Sequence, residues 1–452
     1  MPKCSQSMPP ERLAISTFFQ GEEVEPPPLH VLKRRICELG WTLYYDVSPL
    51  LEEHWTGIPL VAARLGEVLF ETFPQNVRFF YENHLVSSDA VVDAFGRNSG
   101  LFLHRDFFKG DACEGPMPLL QAGSRAAGIF PSVKRVRRIF PIECSLVHDL
   151  STLITPQFHV SDTIRYHMET ICEDLASNTV TFAVSRATLE DLKAYFGIGD
   201  DRLCVAYNGV SWPWWFPIQL ANEAREDNAE PYFLILGTRE PRKNIACIFD
   251  LLNLFPDLLE QCRFVIVGRM GWLAEQQAIP AALEAAIAEK RLILPGFVSE
   301  FEKYRLLCGA TATIYPSFFE GFGLPILESL SVGTPCIASF SSAIPEVGGD
   351  LCTYFDPFSV ESLYRAVRKV LAGSLKSSRE FRAGCRAVAK RFTWRNTARQ
   401  ILSVLLGKME QFESFASRPI AFIESHGKGE LVLPSPVAGG RRRANGAGLH
   451  SA

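Results

Sequence analysis

The sequence predicts an α/β protein made of two doubly wound domains, and three observations carry that reading. Short apolar runs of strand length recur along residues 41–355, bounded by turn residues. Helical patterns lie between many of these runs. Strands separated by helices pair in parallel and are covered on both faces, because a parallel pair needs a long crossover. Finally, "SWPWWFPIQLANEAREDNAE" (211–230) breaks the rhythm with prolines, aromatics and a charged run, which divides the series into two blocks.

In order, residues 1–38 read as a proline-rich, partly acidic extension and 39–210 as the first domain. Its strands are expected at 41–47, 100–104, 142–147, 180–184 and 203–207. A helix is expected to follow Gly57, and another at 185–197, opened by Ser185 and closed by Gly197. Residues 211–230 form the connector. Residues 231–415 form the second domain, with strands at 232–237, 263–268, 291–296, 311–315, 335–339 and 352–355, and with terminal helices packing back on the first domain. Ser299 and Glu302 form a capping box at one helix start. Residues 416–452 read as a disordered tail with a basic cluster at Arg441–Arg443.

Composition narrows the function classes. The 452 residues carry 46 basic and 50 acidic side chains, net −4, which gives no support to a general nucleic-acid binder. The 12 cysteines form no CxxC pair and sit mostly in apolar surroundings, the pattern of reduced thiols in a cytoplasmic protein. The first residues lack the apolar core of a signal peptide, and no run approaches about 18 apolar residues, so any membrane contact would be peripheral.

In open parallel sheets, ligands bind beyond the carboxyl ends of the strands. "GTREPRKN" (237–244) puts Arg239, Arg242 and Lys243 on a loop started by Gly237 and Thr238. Three cations there suit a diphosphate, though a solvated basic loop has the same composition. "IYPSFFEGFGLPILESLSVGTP" (314–335) follows the next candidate end. Gly321 and Gly323 allow close backbone approach, Pro325 fits a first helical turn, and the helix start favours phosphate. Glu320 and Glu328 flank that turn. Carboxylates beside a phosphate are better suited to accepting hydrogen bonds from hydroxyls, so a diphosphate between two polyols, a nucleotide sugar, satisfies the pattern. "VGRMGW" (267–272), with Gly268, and "LPGFVSE" (294–300), with Phe297, are turns suited to a base; a core role suits Phe297 equally. In the first block His148 ends a strand with Asp149 beside it, and Gly57 ends the first strand. A structural histidine is the plain alternative.

Taken together, these residues resemble the retaining glycosyltransferases of family 4 over most of residues 40–400. "GTREPRKN", "EGFGLPILESLSVGTPCIAS" and "SSAIPEVGGD" carry the resemblance in the second block, and "VHDLSTLITPQFH" and "FAVSRATLEDLKAYFG" in the first. The resemblance implies the GT-B fold, two Rossmann-like domains facing across a cleft. It implies that Glu320 lies near the donor sugar, that Glu328 holds the ribose, and that Lys243 with an arginine binds the diphosphate. The amides of Gly321, Phe322 and Gly323, followed by Leu324, would meet sugar and phosphate, and His148 the transferred sugar. The family often has arginine where this chain has Thr238, so Arg239 or Arg242 would substitute. No metal is implied. The donor would be GDP-mannose or a UDP-hexose, and the acceptor a saccharide or lipid-linked saccharide in surface polysaccharide synthesis.

Two rival readings share the fold: another nucleotide-sugar enzyme (a 2-epimerase or an inverting transferase), and a non-catalytic assembly subunit. "FPSVKRVRRIF" (130–140) has the pattern of a basic amphipathic helix that could meet anionic lipid at the inner face of a membrane, or of an ordinary surface helix.

Overall fold

The computed structural model describes residues 25–416 except 53–54, 56, 98–109, 111, 119, 121–122, 135–137, 214, 223–229, 272–278 and 374–377. The strand expected at 100–104, the middle of the basic segment and Arg441–Arg443 lie outside the described residues.

Two sheets form. The first contains β1 Thr42–Asp46, β2 Val77–Tyr81, β3 His84–Val86, β4 Cys113–Pro116, β5 Ala126–Phe130, β6 Ile142–Val147, β7 Val180–Ala183 and β8 Leu203–Val205. They lie in the order β4-β3-β2-β1-β5-β6-β7-β8. The second contains β9 Tyr232–Leu236, β10 Arg263–Val267, β11 Leu292–Gly296, β12 Ala312–Tyr315, β13 Cys336–Ser339 and β14 Cys352–Phe355, ordered β11-β10-β9-β12-β13-β14. The second sheet is parallel throughout. Its order is that of a doubly wound dinucleotide-binding sheet, reversing between β9 and β12.

The first sheet departs from the all-parallel expectation. β3 pairs antiparallel with β2 and with β4, so one margin is a meander. Tyr81 and His84 are paired across a two-residue turn, too short for a helical crossover. The connector is not wholly irregular either: a helix occupies Phe216–Asn222, and the Phe216 ring is buried against Tyr304.

Each sheet has its own apolar core. The helix Trp394–Ala416 returns from the second domain to the first. It places Trp394, Ala398, Ile401, Leu402, Leu405 and Met409, spaced at three and four residues, in the first core. Ion pairs Arg125–Glu413 (2.8 Å) and Arg35–Glu410 (3.0 Å) flank that seam. A second tie is the buried Glu346. Its carboxylate accepts the amides of Arg186 (2.9 Å) and Ala187 (3.3 Å) and the Tyr207 hydroxyl (2.8 Å). It thereby seats a carboxylate on the N-terminus of the helix Arg186–Phe196, where the helix dipole favours negative charge.

The segment 130–140 is not a basic amphipathic helix in its described part. Phe130 ends β5, Lys134 is wholly buried as an ion pair with Glu143, and Arg138 donates to the Phe140 carbonyl (3.1 Å). The Glu143 carboxylate also accepts the Phe140 amide (2.6 Å). A charge in strand β6 has recruited the lysine inward, since a buried carboxylate needs a partner.

Candidate active site

The reversal between β9 and β12 opens the crevice where a doubly wound sheet binds ligands. The loop leaving β9 makes a 3-10 turn at Pro241–Lys243 and is stopped by Asn244 in the left-handed region (φ 54°), a conformation asparagine tolerates. The buried Asn244 amide donates to the carbonyls of Pro316 (3.1 Å) and Pro357 (3.0 Å), bracing the loops after β12 and β14. The loop leaving β12 runs to Gly323 (φ 109°), which starts the helix Leu324–Ser331 with Pro325 in its first turn, and Gly333 (φ 78°) lies just past its end.

Between these loops sits Glu320, buried. Its carboxylate receives Lys243 Nζ at 2.6 Å and Arg242 Nη1 at 2.9 Å. Burial resists ionisation, but the two cations outweigh it and hold the Glu320 carboxyl at about 2. Arg242 also donates to the Phe319 carbonyl (2.9 Å) and to Glu240 (3.0 Å), and lies 3.7 Å from Asp149 of the first domain. Burial opposes its charge, and Glu320, Asp149 and Glu240 more than restore it, raising its pKa. The main chain of Glu320 is fixed by Ser342, whose hydroxyl bonds both its amide and its carbonyl (2.8 Å each). Ser342 itself has φ 43°, an uncommon conformation for a non-glycine residue.

The first domain closes on this cluster through the end of β6. His148 Nε2 donates to the Pro131 carbonyl (2.8 Å), and because a carbonyl only accepts, Nε2 carries the proton. Burial lowers the His148 pKa. Asp149 accepts the amide (2.9 Å) and hydroxyl (2.7 Å) of Ser151; despite burial, Arg242 and those bonds hold it at about 2. Gly321 lies directly against this turn. A Cβ there would come 1.6 Å from the His148 carbonyl oxygen, and the Gly321 carbonyl accepts the Thr188 hydroxyl (3.2 Å). Its close approach is therefore to the opposite domain. Gly321→Ala must part the two loops, and an ångström-scale displacement of reacting groups can cost on the order of 10²-fold in rate. Turnover at this site should fall on that scale. Unaltered turnover of the variant would show that this contact does not set the geometry of the site.

Glu328, in the helix after Gly323, receives Lys303 Nζ at 2.8 Å, and Lys303 also pairs with Glu300 (2.7 Å) while lying over the Trp212 ring. Burial pushes the Glu328 carboxyl up against the pull of Lys303. It lines a small crevice between the domains with Leu60, Arg64 and Trp212.

The other residues singled out in the sequence are distributed around this centre. Gly237 and Thr238 leave β9, and Gly268 leaves β10 so tightly that a Cβ would come 1.9 Å from the Gly237 carbonyl; loop packing accounts for that glycine. Arg239 is half-buried, its pKa lowered by burial, and among the described residues no carboxylate pairs with it. Phe297, beyond β11, is 49% exposed, which excludes a core role. The Phe322 ring is in the core, packed against Tyr207 and Phe392. Gly57 (φ 60°) starts the helix Ile58–Thr72 at the end of the first strand's connection. Sequence reading missed Lys303, Ser342, Asn244 and the Asp149–Arg242 contact; only Asn244, following a turn-forming "PRK", left a local trace.

Residues 219–389 match the glycosyl transferases group 1 family. Over 263 residues the chain is 30% identical to O-antigen chain mannosyltransferase B of Escherichia coli, covering 57% of this chain and 68% of that one. It is 26% identical over 262 residues to the serotype-specific mannosyltransferase WbdA of the same species, covering 56% of this chain but only 32% of that one. Among solved structures, sucrose-phosphate synthase from Thermosynechococcus elongatus superposes with a TM-score of 0.57 at 16% identity, over 83% of this chain and 99% of that one. Anabaena Alr3699/HepE, solved with UDP, gives 0.52 at 15% identity, over 81% and 100%. Two facing doubly wound domains with these neighbours define the GT-B fold. The chain belongs to the glycosyl transferases group 1 family.

Proposed function

We propose that the protein transfers a hexose, mannose first among the candidates, from a nucleoside-diphosphate donor to a saccharide or lipid-linked saccharide, with retention of configuration, in the building of a surface polysaccharide. The observation that carries this reading is Glu320 held between Lys243 and Arg242 at the strand-order reversal, facing the His148–Asp149 turn. The relatives named as mannosyltransferases support the choice of sugar and pathway class.

In this reading the bond from the sugar C1 to the diphosphate oxygen breaks, and the pair of electrons leaves with the diphosphate. An acceptor hydroxyl adds to C1 from the same face and passes its proton to the departing phosphate. Lys243 and Arg239 neutralise the leaving group; of the two arginines on this loop, Arg239 is the one with which no carboxylate among the described residues pairs, whereas Arg242 orients Glu320. These cations supply the charge, and the proposal calls on no metal. Gly237, Thr238 and the amides at Gly321–Leu324 face the phosphate and sugar. His148 meets the transferred sugar, Glu328 the ribose, and Phe297 and the turn at Gly268 the base.

Incubation with GDP-mannose, UDP-glucose and related donors tests the reading: release of nucleoside diphosphate, dependent on a saccharide acceptor, is expected from one of them. Release from none would contradict it. Glu328→Ala should weaken nucleoside diphosphate binding about tenfold even without sugar, read as a smaller thermal shift at fixed ligand. An undiminished shift would remove Glu328 from the nucleotide site.

A further inference from the structure

The same crevice ends in a feature that donor binding does not use. Three phenylalanine rings form a ladder across the domains. Phe158 of the first domain stacks on Phe318 (centroids 5.0 Å, planes 9° apart), and Phe318 stacks on Phe358 (5.0 Å, 29°). Phe318 stands two residues before Glu320, and its amide donates to the Arg242 carbonyl (2.9 Å). Phe358 follows β14 on a fixed loop: its amide donates to Asp356 (3.0 Å), and the Pro357 carbonyl accepts from Asn244. Phe318 has ring neighbours on both sides, while Phe358 is 81% exposed at the end of the stack. Phe340, one residue past β13, is 59% exposed and edge-on to Tyr354.

We propose that Phe358 is the platform of a subsite for a neutral saccharide, its ring lying against the C–H face of a pyranose. This rests on the transferase reading, and names where a portion of the acceptor beyond the reacting sugar would sit. A rigid exposed ring immediately beside the proposed donor loop suits a molecule with an apolar face and a hydroxyl rim. The polar residues next to it in its own loop are acidic or neutral: Asp356 is exposed, and Ser359 and Glu361 follow. Carboxylates there oppose an anionic bilayer or a phosphate and can accept hydrogen bonds from hydroxyls.

The test uses the full chain and a panel of neutral oligosaccharides including mannotriose and maltotriose, with binding read by calorimetry. At least one should bind, and Phe358→Ala should weaken it about five- to tenfold, the scale of one aromatic contact. Phe358→Trp should retain affinity, whereas Phe358→Leu should behave like alanine, because an apolar side chain without a flat ring cannot stack. The thermal shift given by nucleoside diphosphate should be the same in all variants. Absence of saccharide binding by the wild type, equal affinity of the alanine variant, or full rescue by leucine overturns the proposal. So does loss of binding to anionic phosphatidylglycerol vesicles in Phe358→Ala with saccharide affinity unchanged. A protein that binds saccharide through Phe358 but releases nucleoside diphosphate from no donor would refute the transferase reading and leave the subsite standing. The reverse result would refute the subsite alone.

Discussion

Lys243→Ala is expected to lower kcat/KM for transfer by about 10²–10³-fold with the fold intact, the usual consequence of removing one preorganised partner of a developing anion. The size of the effect follows from the environment. Lys243 is largely buried, its ammonium is fixed at 2.6 Å from Glu320, and it lies 5.7 Å from the centroid of the Tyr315 ring, so it is already oriented before any charge develops. The variant leaves Glu320 still bonded to Arg242, which keeps the carboxylate from being stranded. Steady-state rates against donor concentration, alongside circular dichroism, check this. A variant with wild-type turnover would remove Lys243 from the leaving-group site.

Glu320→Ala should cost transfer on a comparable scale of about 10²-fold or more, but with a different signature. Removing the carboxylate releases two cations, so nucleoside diphosphate should bind at least as well as to wild type. The same residue gives a stability test. Its folded pKa of about 2 lies below the usual glutamate value, so its contribution is fully present above the ordinary range near 4.5 and is lost as pH falls towards 2. Asp149, also at about 2, should follow nearly the same course. Denaturant titrations between pH 6 and pH 2, intervals set by those values, should therefore show a shallower loss of stability in Glu320→Gln than in wild type. Parallel curves would mean that the carboxylate is not held by Lys243 and Arg242 in solution. If Glu320→Ala and Glu328→Ala instead weakened nucleotide binding alike, the division between sugar and ribose would be wrong.

The second sheet was legible in the sequence almost strand by strand. A parallel strand covered on both faces writes itself as an unbroken apolar run, as in "FLIL" and "FVIV". The first sheet was legible only in part: β2 and the central β5 lie outside the expected strands, and at the margin β3 has three residues and the exposed β4 reads "CEGP", with no apolar periodicity to find. Nor was Lys134 legible as a core residue, since its partner Glu143 comes from a different element. In the site, "PRKN" and "EGFGLP" were readable because a loop's chemistry is contiguous in sequence. What could not be read were the contacts that make it a site: Asp149 against Arg242, Lys303 on Glu328, and the ladder from Phe158 to Phe358 all join distant segments. Gly321 and Gly268 show the limit of a motif most clearly. Gly321 was legible as a position of close approach and Gly268 as a turn suited to a base, but the backbone that approaches each of them belongs to the protein itself.

The most direct test of the whole account is an NMR record of the reaction with GDP-mannose and an oligosaccharide acceptor, following the donor anomeric signal and the linkage first formed. Conversion of the donor to nucleoside diphosphate with an α-linked product, lost in Lys243→Ala and Glu320→Ala, is the predicted result. A β-linked first product, or transfer that persists in both variants, would contradict it.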